Sequence, residues 1–575
     1  MALHAPSPCA AALRPPPAAL SCASLRASRR GCLPHRRRCV APVAALSPGG
    51  GGAFDPRSAL LSALAAASAA RATAARASAA EAAEAAARFL AQLAPPPPGF
   101  PPGPVGDSGV ALAADPLAFI AQAAARYGGA VGLRLAGARA VLVSRAEWAE
   151  AVLISDADAY TKKGTAFFPG SSLAGEGLLV SDGDTWKRQR RLATPAFRAA
   201  AVASYAAAMG SAANELLADT WRLTSASQPV QRDVYADFNA LTLRVVARAL
   251  FGADVAGAAA DEINASIAEA FEFFARRTAA GPPPPEWLPT PDNARFAAAV
   301  ARLDKAVYRL ISQRRDQLAR EGPARNGDAD APPADLLDAL LRARDAGSNG
   351  DDAASGGMGD VALRDELMTL LVAGQETSAL VLTWTCSAIA QHPALGERLA
   401  AEAEAVLGPS RAPGSADLAR LPLTTAVVYE SMRLMPPAYM VGRCASRDVQ
   451  LGPWRVPAGT TMLVSPYLLH RQARHWGADA AVFRPERWLD AQGALLPDAL
   501  RGMGARGAYV PFGAGPRNCI GAGFAMMEAV LITAAICRGA VLSIPPGRAP
   551  PAPAALITLR PAGATLQIAP RARSA

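Results

Sequence analysis

The chain has 575 residues, of which 51% are hydrophobic and 18% charged, with a formal net charge of +10. That is enough apolar sequence to bury a large core, and too little charge for a disordered, self-repelling polymer. Residues 1–50 hold seven arginines and no acidic residue, so most of the excess charge sits in one tail and not in a basic patch of the kind that binds nucleic acid.

Residues 1–45 read as an organelle transit peptide: rich in Arg, Ala and Ser, free of acid and without a long apolar run. A chloroplast is the expected address, with the mitochondrion as alternative; a basic tail of no targeting value is the other reading. Residues 46–105 form an Ala-rich helical spacer followed by a Pro-rich linker. Arg71, Arg76, Glu81, Glu84 and Arg88 exclude a membrane span over Ser58–Leu93, leaving a solvated spacer or peripheral membrane contact. Pro95–Pro104 breaks regular structure, and residues 106–575 are the expected folded domain.

Within it the patterning predicts a helix over Asp115–Tyr127, strands over Ala130–Leu135 and Ala140–Ser144, and a helix over Arg145–Ile154. After the Asp182-Gly183 turn, Trp186 and Arg190 fall on one helix face. Residues 200–280 read as helical up to Pro282–Pro285. Residues 322–359, rich in Asp, Gly, Ser and Pro, read as a flexible loop around a helical patch at Ala334–Ala346. The long helix Val361–Gln391 contains Ala373-Gly374-Gln375-Glu376-Thr377-Ser378; out of context, Thr377 would bond back to a preceding carbonyl. Glu430 and Arg433 share a helix face, and Phe483-Arg484-Pro485-Glu486-Arg487-Trp488 follows.

The chemistry concentrates at Phe512-Gly513-Ala514-Gly515-Pro516-Arg517-Asn518-Cys519-Ile520-Gly521. Glycines and a proline make an irregular turn that sets Cys519 before an apolar helical stretch, Ala522–Ile536. A helix N-terminus favours thiolate over thiol, and a thiolate in a preformed loop suits the axial position of a haem iron. Eight cysteines without a Cys-x-x-Cys pair indicate neither a zinc site nor a disulfide framework.

Phe-x-x-Gly-x-Arg-x-Cys-x-Gly is matched at every fixed position and resembles the haem-binding signature of the cytochrome P-450 family. The resemblance extends over about residues 106–575. It implies a mainly α fold with small β-sheets, a long distal helix over the haem and a proximal cysteine loop. It implies haem b with Cys519 as metal ligand, Phe512 beside the sulfur, and Gly521 admitting the next helix. Trp186, Arg190, Arg443 and Arg517 would meet the propionates. Gly374 would leave room for dioxygen, with Thr377 and Glu376 as the proton relay. Glu430, Arg433 and Arg487 would form a structural ion network behind the cysteine loop. Ala373, Ala438, Tyr439 and Ile557 would line the substrate pocket.

The implied activity is a monooxygenase acting on an apolar, lipid-like molecule such as a carotenoid, terpenoid or fatty acyl chain. The stretch Leu371–Thr385 is similar to the plastid carotenoid ring hydroxylases and also to bacterial fatty-acid hydroxylases. No Gly-x-Gly-x-x-Gly follows a predicted strand, so electrons are expected from a separate protein, ferredoxin or a flavoprotein reductase. A haem-thiolate isomerase or dehydratase of lipid hydroperoxides, or a non-catalytic haem-binding protein, are the alternatives.

Overall fold

The computed structural model describes residues 95–165, 172–224, 228–279, 286, 288–321, 335–342, 358–496 and 507–571. All of them belong to one compact unit, Ser78–Ala575. The expected leader, the spacer up to residue 94 and most of the 322–359 loop lie outside the described residues; inside that loop a helix spans Leu336–Arg342. The Pro-rich stretch is irregular, but its end already docks on the domain. Gly99 O accepts from Arg455 N and Pro102 O from Gly132 N, both at 2.9 Å.

Helix α1, Pro116–Tyr127, opens on Asp115, whose side chain accepts from Ala118 N, and closes at Gly128. Strands β1, Ala130–Leu135, and β2, Ala138–Val143, form an antiparallel hairpin. A short helix, Ala146–Glu150, widens into a π-turn over Ala151–Ser155 before β3, Tyr160–Thr161. Helix α2 covers Gly183–Ala193. The stretch expected to be wholly helical instead contains β4, Val230–Asp233, between its helices. Its partner is the last strand of the chain, and so distant a pairing leaves no local signal.

Three long helices follow: α3, Val234–Phe251; α4, Gly257–Ala279; and α5, Pro291–Glu321. Helix α6 runs over Asp360–Gln391 and α7 over Pro422–Leu434. Strands β5, Val441–Ala445, and β6, Thr461–Val464, complete a five-stranded sheet in the order β1-β2-β6-β5-β3, in which β2 and β6 run parallel. Helix α8, Ala522–Gly539, leads into β7, Ala540–Ser543. The hairpin β8, Ala552–Ala555, with β9, Leu559–Ala562, precedes β10, Thr565–Pro570, which lies between β4 and β7.

The main core is helical, built where α3, α7 and α8 pack around α6; a smaller core lies under the five-stranded sheet. Helices α6 and α8 are long and apolar enough to cross a membrane, yet 83% and 67% of their most apolar windows are buried inside the fold, as suits core helices. A close approach sets one of these contacts. A Cβ on Gly374 would stand 3.0 Å from Val246 Cγ2, so this glycine lets α3 lie against α6. The absent Cβ of Gly374 would point at Val246 of α3.

Candidate haem-thiolate site

The cysteine loop is shaped by Gly513 and Gly515, at φ of 68° and 69°. A Cβ on Gly515 would fall 1.9 Å from Leu153 O, so no larger residue closes this turn. Cys519 N donates to Phe512 O at 2.8 Å, which pins the cysteine across the loop from the phenylalanine. A Cβ on Gly521 would lie 3.9 Å from the Cys519 sulfur. The Cys519 side chain is exposed, yet burial pushes its thiol above the usual range; the Gly521 N–H and Arg190 pull the other way. The helix start does not by itself favour the free thiolate, because desolvation outweighs it; a coordinating metal ion would supply the missing positive charge.

Around this loop the cationic residues converge. Arg190 on α2 donates to Asn518 O at 2.9 Å and Asn518 Oδ1 at 3.0 Å, docking α2 onto the loop. Arg517 stacks over the Trp186 ring with its carbon 4.2 Å from the centroid, donates to Ser181 O at 2.7 Å and pairs with Asp182. Arg443 on β5 is buried. Lys162, immediately after β3, donates its backbone N–H to Asp182. Burial, with Arg443 and Arg517 nearby, lowers the Lys162 amine to about 7, and burial and Arg517 lower Arg443 to about 10. Three cations thus share one carboxylate. The two propionates of a haem would balance that charge, so the residues present fit this cofactor. Lys162 carried no signal in the sequence; only the fold brings it to Arg443 and Arg517.

On the other side, α6 is almost wholly buried. Between Leu363 and Ser387 the residues with open surface are Ala373, Gly374 and Thr377, at helical spacings that place them on one face. Thr377 Oγ1 donates back to Ala373 O at 2.7 Å. Glu376 is not its hydrogen-bond partner. Successive helix residues diverge by about 100°, and Glu376 turns away to accept from Arg560 Nε at 2.8 Å, Thr558 Oγ1 at 3.0 Å and Tyr235 OH at 2.8 and 2.9 Å. The acid–alcohol pair adjacent in sequence is therefore split between an open groove and a buried polar cluster. Neither Tyr235 nor Arg560 was singled out from the sequence, since nothing local marks them.

The three stretches that hold the expected pocket residues, Val372-Ala373, Ala438–Val441 and Leu556–Thr558, are linked by hydrogen bonds from within them or from residues beside them. Tyr439 OH donates to Leu556 O at 2.8 Å, Leu559 N to Pro437 O at 2.9 Å, and Thr558 ties the hairpin tip to α6 through Glu376. Ala438 and Ile557 are half-buried, and Ile557 packs against the helical core. The Tyr439 hydroxyl, counted from the sequence as a polar group of the pocket, is already committed to a backbone carbonyl.

Glu430, Arg433 and Arg487 form one buried network. Glu430 receives two hydrogen bonds from Arg433, each 2.8 Å, one from Arg487 at 3.0 Å and one from Trp488 Nε1 at 3.0 Å. Arg433 also donates to the carbonyls of His470, Ala480 and Val482. His470 carries the link onward: its Nε2 accepts from Val510 N at 2.8 Å, two residues before Phe512. Burial holds that imidazole neutral, lowering it to about 3.

The family profile described as Cytochrome P450 matches residues 97–568. Cyclooctatin synthase of Streptomyces melanosporofaciens is 36% identical over 80% of this chain and 92% of its own length. Pentalenene oxygenase of Streptomyces avermitilis is 32% identical over 73% and 85%. Protein LUTEIN DEFICIENT 5, chloroplastic, of Arabidopsis thaliana is 31% identical over 74% and 69%. Members of this family carry haem b on an axial cysteine thiolate, draw electrons from a separate redox partner and act on hydrophobic substrates. With a glycine-shaped cysteine loop, a surplus of buried cations beside it and an open stripe on the long helix, the chain belongs to the cytochrome P450 family and is a monooxygenase.

Proposed function

We propose that this P450 oxygenates a neutral, hydrocarbon-rich molecule of the terpenoid, carotenoid or acyl class. The observation that carries this reading is the state of the pocket's polar groups. Tyr439 and Thr558 are the polar side chains in its three lining stretches, and both are bonded within the protein. A ligand carboxylate or phosphate would meet no free cation there, and burying an unpaired charge is strongly disfavoured. Each methylene buried in such a site contributes about 0.8 kcal/mol. Relatives named for cyclooctat-9-en-7-ol, a neutral alcohol, and for pentalenene, a hydrocarbon, support the same class.

In this reading Cys519 is the iron ligand, and Lys162, Arg443 and Arg517 hold the propionates, with Trp186 beneath Arg517 and Arg190 bracing the loop. The haem supplies the reductive activation of dioxygen when bound. Ala373 provides the bare floor against which substrate lies, and Thr377 presents the hydroxyl that passes a proton from its Oγ1. Glu376, the expected relay partner, is held behind α6 by Tyr235, Thr558 and Arg560. A plastid location, with ferredoxin as electron donor, follows from the acid-free leader and agrees with the chloroplastic relative.

The test is optical. Neutral terpenoids and acyl esters should shift the haem-loaded protein to its high-spin spectrum, while small hydrophilic acids should not; tight binding of such an acid would overturn the reading. Cys519→Ser should abolish the thiolate-type absorption of the reduced carbonyl complex. Retention of that absorption would move the ligand to another cysteine.

A further inference from the structure

Asp182 stands immediately before α2, where an aspartate ordinarily turns its carboxylate onto the first N–H groups of its own helix. Here the side chain makes no such bond. It reaches instead to the segment after β3, accepting from Lys162 N at 3.0 and 2.8 Å and from Lys163 N at 2.7 Å. The same carboxylate pairs with Arg517 of the cysteine loop, and the two side chains are only 14% and 15% exposed.

One acid therefore serves three cations. Burial lowers the Lys162 amine and the Arg443 guanidinium, and Asp182 is the charge that opposes the lowering at both. Arg517 has two neutral anchors besides, the Ser181 carbonyl and the Trp186 ring, so its place does not rest on Asp182 alone. In the haem-free chain the carboxylate offsets part of a buried charge that would otherwise stand unpaired. Beside a propionate on Arg517, the same carboxylate becomes a like charge and repels it.

We propose that Asp182 is a tethered counter-anion that competes with a haem propionate for Arg517. It holds the haem-free site together, and in the loaded protein it weakens haem retention and keeps the reduction potential low. This rests on the propionate assignment above and extends it. An electron added to the haem brings negative charge to the site, which a nearby carboxylate opposes. The bonds to Lys162 and Lys163 are the tether: they keep the acid at the haem edge and turn it away from the end of α2.

The experiment uses the haem-loaded protein and reads two quantities, the rate of haem transfer to apomyoglobin and the midpoint potential. Asp182→Asn keeps an acceptor oxygen for the two backbone N–H groups and loses the charge. It should release haem about tenfold more slowly than the wild type, the size of one short-range screened charge interaction, and shift the potential positive. Asp182→Glu keeps the charge and should hold the potential near the wild-type value. A residue that only braced the fold would do the opposite: its loss would speed haem release and leave the potential in place. Either result for Asp182→Asn overturns the proposal, as does a potential for Asp182→Glu that matches Asp182→Asn. Arg517→Gln checks the assignment beneath it and should release haem faster. If it does not, the propionate reading falls, and the counter-anion with it.

Discussion

Arg560 Nε donates to Glu376 Oε1 across 2.8 Å, joining residues 184 positions apart in the chain. Glu376 is buried and the Arg560 side chain 13% exposed, and Tyr235 and Thr558 complete the set of donors around the carboxylate. Arg560 also lies 5.4 Å from the Phe271 ring centroid, so the cluster links α6, α3, α4 and the C-terminal hairpin.

Removing one partner of a buried pair is costly because the other charge stays behind. Arg560→Leu is expected to destabilise the protein by about 3 kcal/mol. Glu376→Leu added to it should recover most of that loss, since the orphaned charge goes too. Denaturant unfolding of both variants measures this; a double variant no more stable than Arg560→Leu alone would show that the charge is not the cause.

The cations near the cysteine loop predict a pH dependence of the haem-free protein. Folded Lys162 has its amine lowered to about 7 from an ordinary value of 10.5. Between those values the unfolded chain binds more protons than the folded one, so this residue makes stability rise with pH across that window. Thermal midpoints of the haem-free protein should therefore climb from neutral to alkaline pH more steeply in the wild type than in Lys162→Met. Haem, with its two propionates, should flatten the wild-type slope. Parallel slopes in the two proteins would contradict the assignment.

Glu430 bridges the buried Arg433 and Arg487, and Asp479 is a second acid for Arg487 at 3.3 Å. Glu430→Ala should cost about 3–5 kcal/mol, because it leaves two guanidiniums and the Trp488 N–H without their shared acceptor. The loss should be accompanied by faster haem release, as the network reaches the cysteine loop through His470 and Val510. Unchanged haem transfer to apomyoglobin would separate this network from the loop.

Residues 1–45 fused to a fluorescent reporter are expected to direct it into plastids. Diffuse cytosolic or mitochondrial fluorescence would refute that address, and the ferredoxin proposal with it.

Local chemistry made much of this protein readable before folding. The glycines of the cysteine loop, the helices α1, α6 and α8, and the hairpin of β1 and β2 are all set by short-range patterning: 3.6-residue periodicity, alternation, or a backbone conformation that only glycine adopts. The Glu430–Arg433 pair was legible for the same reason, being one helical turn long. The tertiary structure alone decided the long-range arrangements. β4 is a strand because β10 lies beside it. Lys162 joins the cationic cluster because β3 ends beside Asp182. Glu376 parts from Thr377 because Arg560 and Tyr235 arrive from distant segments. Burial raises the Cys519 thiol, against the pull of the Gly521 N–H and Arg190, only once the chain has closed around the loop. A sequence records which charges and donors exist and how neighbours are spaced; desolvation and pairing between remote segments arise only when the chain closes around them.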